Sequence, residues 1–381
     1  MSRIEVFDIP KDRKYWVVRA GENAAFFNHF RSNSVIAIGH ADGIDFNGIE
    51  GMLDNEQKAY IKKQHYSLLK SRNESSNQIG NKNSQVNRFL QSISINDVII
   101  TVTSNSIMAG RVTSDAYESE TPIGYQVSAE NYSECYFRLR RNVTWSRRYP
   151  RDKLPFELEN VLRNHSAVFQ ISEEKKVDIL NHWLAPIYIK ENSICMSTRI
   201  EQEESISNRT ITRYSSLLDE LELVAEYLST AGEEASVEDY KAYKAHNLNS
   251  YEYQLTTQQS FMSPGDNFIR LRASQRIKLK YYAMAFALLF GCSAVFAEED
   301  HDSNKAQNLQ PVLSSIIAQV RDSHDFPDIA SRLDLRLPHQ NADVLRSSRE
   351  PIRERTVAVQ TDQAFGDDEF PTNNVSGDTP L

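Results

Sequence analysis

The segment "KYWVVRAGENAAFFNHFRSNSVIAIGHADG" (Lys14–Gly43) decides the fold at the front of the chain. "YWVVRA" is a run of aromatic and β-branched residues and reads as a strand. "ENAAFFNHFRSN" reads as a short helix with Phe26, Phe27 and Phe30 on one face. "SVIAIGH" is a second apolar strand that stops at Gly39. Two apolar strands with an aromatic helix between them predict a packed module. From the segment alone, a pure packing unit and the wall of a binding pocket both remain open.

Outward from there, residues 52–72 read as a helix that is polar on one side. "ESSNQIGNKNS" (Glu74–Ser84) reads as a loop, from its Asn and Ser content. "QVNRFLQSIS" (Gln85–Ser94) is predicted to be helical, and "NDVIITVTSNSIMAGRVTSDAY" (Asn96–Tyr117) to be a strand, a turn and a strand. "CYFRLRRNVTWSRRYPRDKLP" (Cys135–Pro155) suggests a strand followed by a basic loop. A helix, "PFELENVLRN", and an extended piece, "SAVFQI", close the module at residue 171. Many short strands and few helices predict an α+β fold built on a small, partly open β-barrel.

Residues 172–278 read as a second α+β unit. "APIYIKENSICMSTRI" predicts a hairpin turning at Lys190–Ser193. In "TRYSSLLDELELVAEYLSTAG", Leu217, Leu218, Leu221, Val224 and Leu228 share one helical face, and Gly232 suits its end. "EYQLTTQQSFMSPGDNFIRLRAS" predicts two strands around a Ser-Pro-Gly-Asp turn.

From Tyr281 to Ala297 the chain runs 17 residues without a charge, Asn or Gln. That is at the lower edge of the ~17–25 residues that span a bilayer. Arg270, Arg272, Arg276, Lys278 and Lys280 precede the run, and Glu298, Glu299, Asp300 and Asp302 follow it. The expectation is a transmembrane helix over residues 279–298 in the cell inner membrane, with the front half cytoplasmic. The alternatives are a buried helix and a wholly cytoplasmic protein. "NLQPVLSSIIAQVRDS" (Asn308–Ser323) predicts one more helix, and from about residue 338 the chain is polar and reads as disordered.

The 381 residues carry a net charge of −9, unevenly spread. Residues 1–160 hold 21 basic and 19 acidic side chains, whereas residues 298–381 hold 8 and 16. A nucleic-acid partner is therefore expected only at the front, through a local patch. Cys135, Cys195 and Cys292 give neither a disulfide framework nor a metal spacing, which fits a reducing compartment. The first sixteen residues are charged and are not a secretory signal.

No Gly-rich phosphate loop, HExxH, zinc cluster or GxSxG is present. No catalytic residue, metal site or cofactor is expected, and the chain reads as a binder more than an enzyme. His29, His165 and His182 stand alone in sequence and read as structural. Arg138, Arg140, Arg141, Arg147, Arg148, Arg151 and Lys153 cluster, interleaved with Tyr136, Phe137, Trp145 and Tyr149. Arginines contact phosphates and aromatic faces stack on unpaired bases, so the six arginines are phosphate-contact candidates. The competing reading is a strand with outward charges and a basic loop. Trp16 and Trp145 are either core residues or walls of a pocket for a flat base.

The succession "WVVRAG", helix, "VIAIG", "QVNRFLQSISINDVIITV", "IMAGRVTSDAYE", "NVTWSRRYPRDKLP" and "SAVFQI" resembles the EVE-like members of the PUA superfamily. Such domains stand at the front of Mrr-type restriction and other phage-defence proteins. The resemblance covers about residues 13–171. It implies a compact β-barrel that binds RNA or takes a modified base into an aromatic pocket. It places Trp16, Arg19, Gly39, His40 and Trp145 at that pocket. Relatives often carry an aromatic residue where His40 stands, and the "ESSNQIGNKNS" insertion, placed over a pocket mouth, is a second departure.

The function implied is a phage-defence sensor or effector for DNA, RNA, a nucleotide or a modified base, acting at the inner membrane, with a homo-oligomer among its expected partners. The alternative is a soluble nuclease or nucleotide-processing enzyme using Glu201, Glu203, Glu204, Asp219 and Glu222.

Overall fold

A computed structural model describes residues 2–260, 264–297, 301–338 and 342–346. The front of the chain runs β1 (Ser2–Asp8), β2 (Tyr15–Val18), α1 (Phe27–Ser32), β3 (Val35–Ile38), β4 (Gly51–Met52), α2 (Asn55–Ser71) and α3 (Ser76–Asn87). It continues through β5 (Val98–Val102), β6 (Ser106–Val112), β7 (Tyr117–Glu118), β8 (Ile123–Gln126), β9 (Tyr132–Cys135), β10 (Leu139–Pro150), α4 (Phe156–Leu162) and β11 (Val168–Ile171). One sheet takes the order β11-β2-β5-β6-β10-β7-β4, and β3 also pairs with β10. β10 pairs with β3 through Asn142 and with β6 from Val143 onward. Its register shifts between Trp145 and Arg148, a bulge that bends the strand and curls the sheet into a half-barrel.

Tyr15–Val18 is apolar without alternation because both faces of β2 are buried. Trp16 and Val18 enter a core with Phe30, Ile36, Phe89 and Met108. Tyr15 and Val17 enter another core, shared with Phe7, Tyr188, Cys195 and Phe268.

The remaining elements are α5 (Glu174–Leu184), β12 (Ile187–Lys190), β13 (Ser193–Ile200), α6 (Asn208–Ala231), α7 (Val237–Asn247), β14 (Leu255–Ser260) and β15 (Gly265–Arg272). Then come α8 (Arg276–Leu289), β16 (Cys292–Phe296), α9 (His301–Asn308), α10 (Gln310–His324), α11 (Phe326–Leu333), β17 (Leu335–Arg336) and α12 (Ala342–Leu345). A second sheet runs β14-β15-β13-β12-β1-β16, with β17 on β13. β1 lies parallel to both β12 and β16. The first strand thus sits in the sheet of residues 187–336, and a cut after residue 171 leaves it on the far side. The described residues all fall within one compact unit.

Four expectations need correction. Residues 281–297 are not one spanning helix. α8 has 14 residues, about 21 Å at ~1.5 Å per residue, against a hydrocarbon core of ~30 Å. The chain then turns at Gly291, which takes φ +72°, and enters β16 beside β1. Among the described residues no helix is long and apolar enough to cross a membrane. Every residue from Lys278 to Leu289 is buried, with α6, α9, α10 and β16 packed on the helix, so it needs no polar face. The basic residues before the run bond inward. Arg276 pairs with Asp8, Arg270 with Asp178, and Lys278 with Glu222 and Glu226.

Glu74–Ser84 is not a loop. α3 starts there, with a reciprocal capping box in which Ser75 and Gln78 satisfy each other's backbone N–H groups. Ile79 and Val86 fix its buried side. The basic residues after Cys135 are mostly in β10, not in a loop. Residues 342–346 are packed where a disordered tail was expected. Val344 and Leu345 are buried, Arg13 donates to the Leu345 carbonyl at 3.0 Å, and Arg346 pairs with Glu5. The rest of the expected disordered tail, from residue 347, lies outside the described residues.

Candidate ligand-binding cavity

A cavity of about 900 Å³ opens at the strand ends of the half-barrel. Its strand side is built by Arg19, just after β2, by Val102, Thr103 and Ser104 at the β5–β6 turn, and by Arg151, His165 and Ala167. Its helical side is built by Leu69 and Arg72 at the end of α2, by Lys82 and Gln85 of α3, and by the short turn Gly39–His40 after β3. Ile38, Ala24 and Phe137 add apolar surface.

Gly39 explains the position of Phe137. A Cβ at residue 39 would lie 2.3 Å from the Phe137 ring, so only glycine lets the ring lie this close to the strand end. Phe26 packs against the same ring in a T-shaped arrangement, with centroids 5.0 Å apart. Gln85 accepts from the Ala167 and Val168 backbone N–H groups and ties α3 to β11.

Four cations line the cavity, Arg19, Arg72, Lys82 and Arg151, against one carboxylate, Glu22. Lys82 pairs with Glu74 at 2.6 Å, and Arg151 holds both oxygens of Glu159 at 2.8 Å. Arg19 has no carboxylate among the described residues. It donates to the carbonyls of Leu162, at 2.6 Å, and Asn164. Burial lowers its pKa, and the nearby Arg151 lowers it further. Arg72 is exposed, and no hydrogen bond or ion pair holds it among the described residues. His40 is pushed below its ordinary value by burial and then by His65 and Lys82, so its ring is neutral near pH 7.

Arg19, Gly39 and His40 of the expected base pocket meet in this cavity, and Arg151 of the phosphate set joins them. Trp16 and Trp145 do not. Trp16 is buried, and its Nε1 donates to Asp97 at 2.9 Å. Trp145 donates to the Phe30 carbonyl at 2.9 Å and packs across Gly110. Both hold the sheet together.

The other arginines divide. Arg138 pairs with Glu118 and Glu120 and lies over the Phe46 ring. Arg140 is buried and donates to the carbonyls of Phe137 and Thr121. Arg141 is 1% exposed and donates to the carbonyls of Phe89, Leu90 and Ser114. Burial pushes its pKa down to about 10. Arg140 and Arg141 are internal struts, whereas Arg138 is half-buried and held by two carboxylates. Arg147 and Arg148 are exposed, Arg148 with a bond to Ser106.

Arg72, Lys82 and Gln85 were not expected at a site, whereas Phe137 belongs to the aromatic-interleaved basic cluster of the sequence. Arg72, Lys82 and Gln85 come from α2 and α3, and one signal for them was available. "SSNQ" (Ser75–Gln78) carries the Ser-x-x-Gln capping pattern that starts α3. The acids of the alternative reading do not converge. Glu203 and Glu204 are exposed in the loop before α6, while Glu222 is buried and fully bonded. Glu222 accepts from the Gln254 and Leu255 backbone and from Tyr251, with Lys278 beside it. Among the described residues no group of three or more His, Cys, Asp or Glu is placed to hold a metal.

A family described as a domain of unknown function (DUF8426) matches residues 16–171, the stretch from β2 to β11. Comparisons with curated proteins and with solved structures gave no significant match.

Proposed function

We propose that the front of the chain recognises a nucleotide, a modified base or a nucleic-acid segment in the cavity between Arg19 and Arg72. One observation carries this reading. An aromatic ring, Phe137 held close by Gly39, lines the same cavity as two arginines with no ion-pair partner among the described residues. A base needs a stacking surface, and its phosphate needs N–H donors in a cationic field. The neutral His40 adds a ring nitrogen for base-edge bonding. The EVE-like resemblance supports the same reading, and a place in phage defence rests on that resemblance alone.

The test is a binding screen of the full chain. The probes are nucleoside monophosphates and modified and unmodified DNA and RNA, at two salt concentrations. A preference that persists at high salt indicates base readout, because phosphate contact alone weakens steeply with salt. Phe137→Ala removes the stacking face and is expected to weaken binding roughly tenfold or more, in the range measured for base–aromatic stacking. Unchanged affinity in that variant, or no binding by any probe, refutes the reading.

A further inference from the structure

The cations of the cavity stand in two groups on different walls. Arg19 and Arg151 belong to the strand side, and they are close enough that Arg151 lowers the pKa of Arg19. Arg72 and Lys82 belong to the helical side, where Lys82 lowers the pKa of His40. Each group has the same make-up. One cation already has a carboxylate, Glu159 for Arg151 and Glu74 for Lys82. The other, Arg19 or Arg72, has none among the described residues.

A ligand with a single anionic group satisfies one wall and leaves the other cation uncompensated. In this half-open cleft a second anionic group on the same ligand gains the attraction of the cation that the first leaves unmatched. A neighbouring hollow of about 710 Å³, lined by Ser84, Arg88, Ser166 and Phe169, shares Gln85 and His165 with the cavity.

Resting on the proposed nucleotide reading, we infer that the cavity takes a nucleotide carrying two phosphate groups, one against Arg19 and one against Arg72, with the base on Phe137. Two sources share this chemistry: a residue inside a nucleic-acid strand, phosphorylated on both sides, and a free nucleotide with two separated phosphates.

The experiment uses the full chain and measures affinity for three probes: nucleoside 5′-monophosphates, nucleoside 3′,5′-bisphosphates, and short single-stranded DNA and RNA hexamers. The bisphosphate is expected to bind at least tenfold more tightly than the monophosphate of the same base. The Arg72 side chain is exposed and has no bonded partner among the described residues, so Arg72→Gln is expected to leave the fold intact. It is expected to cost bisphosphate affinity far more than monophosphate affinity and so to erase most of that preference. Arg19→Gln, which also loses the bonds to Leu162 and Asn164, is read only after its melting temperature is checked against the parent.

A hexamer that outbinds the bisphosphate identifies the strand as the source, and the reverse identifies the free nucleotide. Both results support the two-phosphate inference. Equal affinity for mono- and bisphosphate, or an Arg72→Gln loss that is the same for both, overturns it while leaving the nucleotide site standing. Failure of every nucleotide to bind overturns the site and the inference together.

Discussion

Glu222→Gln tests whether the buried acid of α6 is structural or chemical. The side chain is fully buried and faces four donors. The backbone N–H of Leu255 lies at 2.9 Å, that of Gln254 at 3.1 Å, the Tyr251 hydroxyl at 3.2 Å and Lys278 Nζ at 3.3 Å. A carboxylate has acceptors for all of them. An amide has one oxygen, so its NH₂ must point at two donors. Hydrogen bonds to a charged group are worth about 1.5–3 kcal/mol each, and two are lost or opposed. Lys278 keeps Glu226 at 2.8 Å, so the full penalty of a stranded buried charge, ~3–5 kcal/mol, is not incurred. The expected loss is about 3 kcal/mol, a large share of the ~5–15 kcal/mol by which domains are stable. Urea unfolding followed by circular dichroism measures it. Adding Lys278→Met is expected to cost less than the sum of the two single changes, because the two groups share one network. A Glu222→Gln protein within about 0.5 kcal/mol of its parent refutes the argument. If such a protein also lost an enzymatic activity, Glu222 would be a catalytic group instead.

Other outcomes follow from the same geometry. His182 is buried, stacked on Phe268 at 4.6 Å, and burial lowers its pKa to about 3. The unfolded ring binds its proton near 6.5, so stability is full above that pH and is lost as pH falls toward 3, by about 2 kcal/mol at pH 5. An acid titration of unfolding with His182→Gln is expected to flatten that slope, and an unchanged slope assigns it to other groups. Gly110→Ala places a Cβ 2.4 Å from Val143 and 2.5 Å from the Trp145 ring, so a fall of about 1–3 kcal/mol is expected in thermal melts. Ser75→Ala removes the capping box of α3 and is expected to cost about 1 kcal/mol, with weaker ligand binding because Lys82 and Gln85 ride on that helix. Val344→Ala, at a fully buried position, is expected to cost about 2 kcal/mol, and a neutral result denies that α12 is docked in solution.

Much of the fold was readable where local pattern and tertiary role agree. The β5–β6 and β12–β13 hairpins, α4, α6 and α10 carry periodicity and turn residues of their own. α8 was misread because a helix buried on every side and a helix in lipid have the same composition. Its short length and the glycine after it decide between them. α3 was missed because Asn and Ser content outweighed a four-residue capping signal. β1 went unread because its partners lie 180 to 290 residues away and its own sequence mixes charge with Ile4, Val6 and Phe7. At the cavity, Arg19, Gly39 and His40 were named through the EVE-like resemblance and Arg151 through the basic cluster around β10. Arg72 and Lys82 were not, because only tertiary packing brings α2 and α3 to the same cavity. For Trp16 and Trp145 the sequence left core and pocket wall both open; Trp16 lies on a strand buried on both faces, and Trp145 packs across Gly110 and bonds to Phe30.

The position of β1 sets a schedule for folding. Ser2 bonds to Cys292 across 290 residues, and β1 lies inside its sheet, between β12 and β16. At ~5–20 residues per second, a ribosome delivers β16 roughly 15–60 s after β1. The half-barrel from β2 to β11 needs nothing beyond residue 171 for its own strand pairing, so it has time to form while β1 waits with its edges unpaired. An unpaired strand in that interval is a site for wrong partners, and Arg3 and Glu5 put charge on it meanwhile. Trimming the first ten residues of this chain would therefore remove the strand next to the sheet's edge and leave β16 without a neighbour.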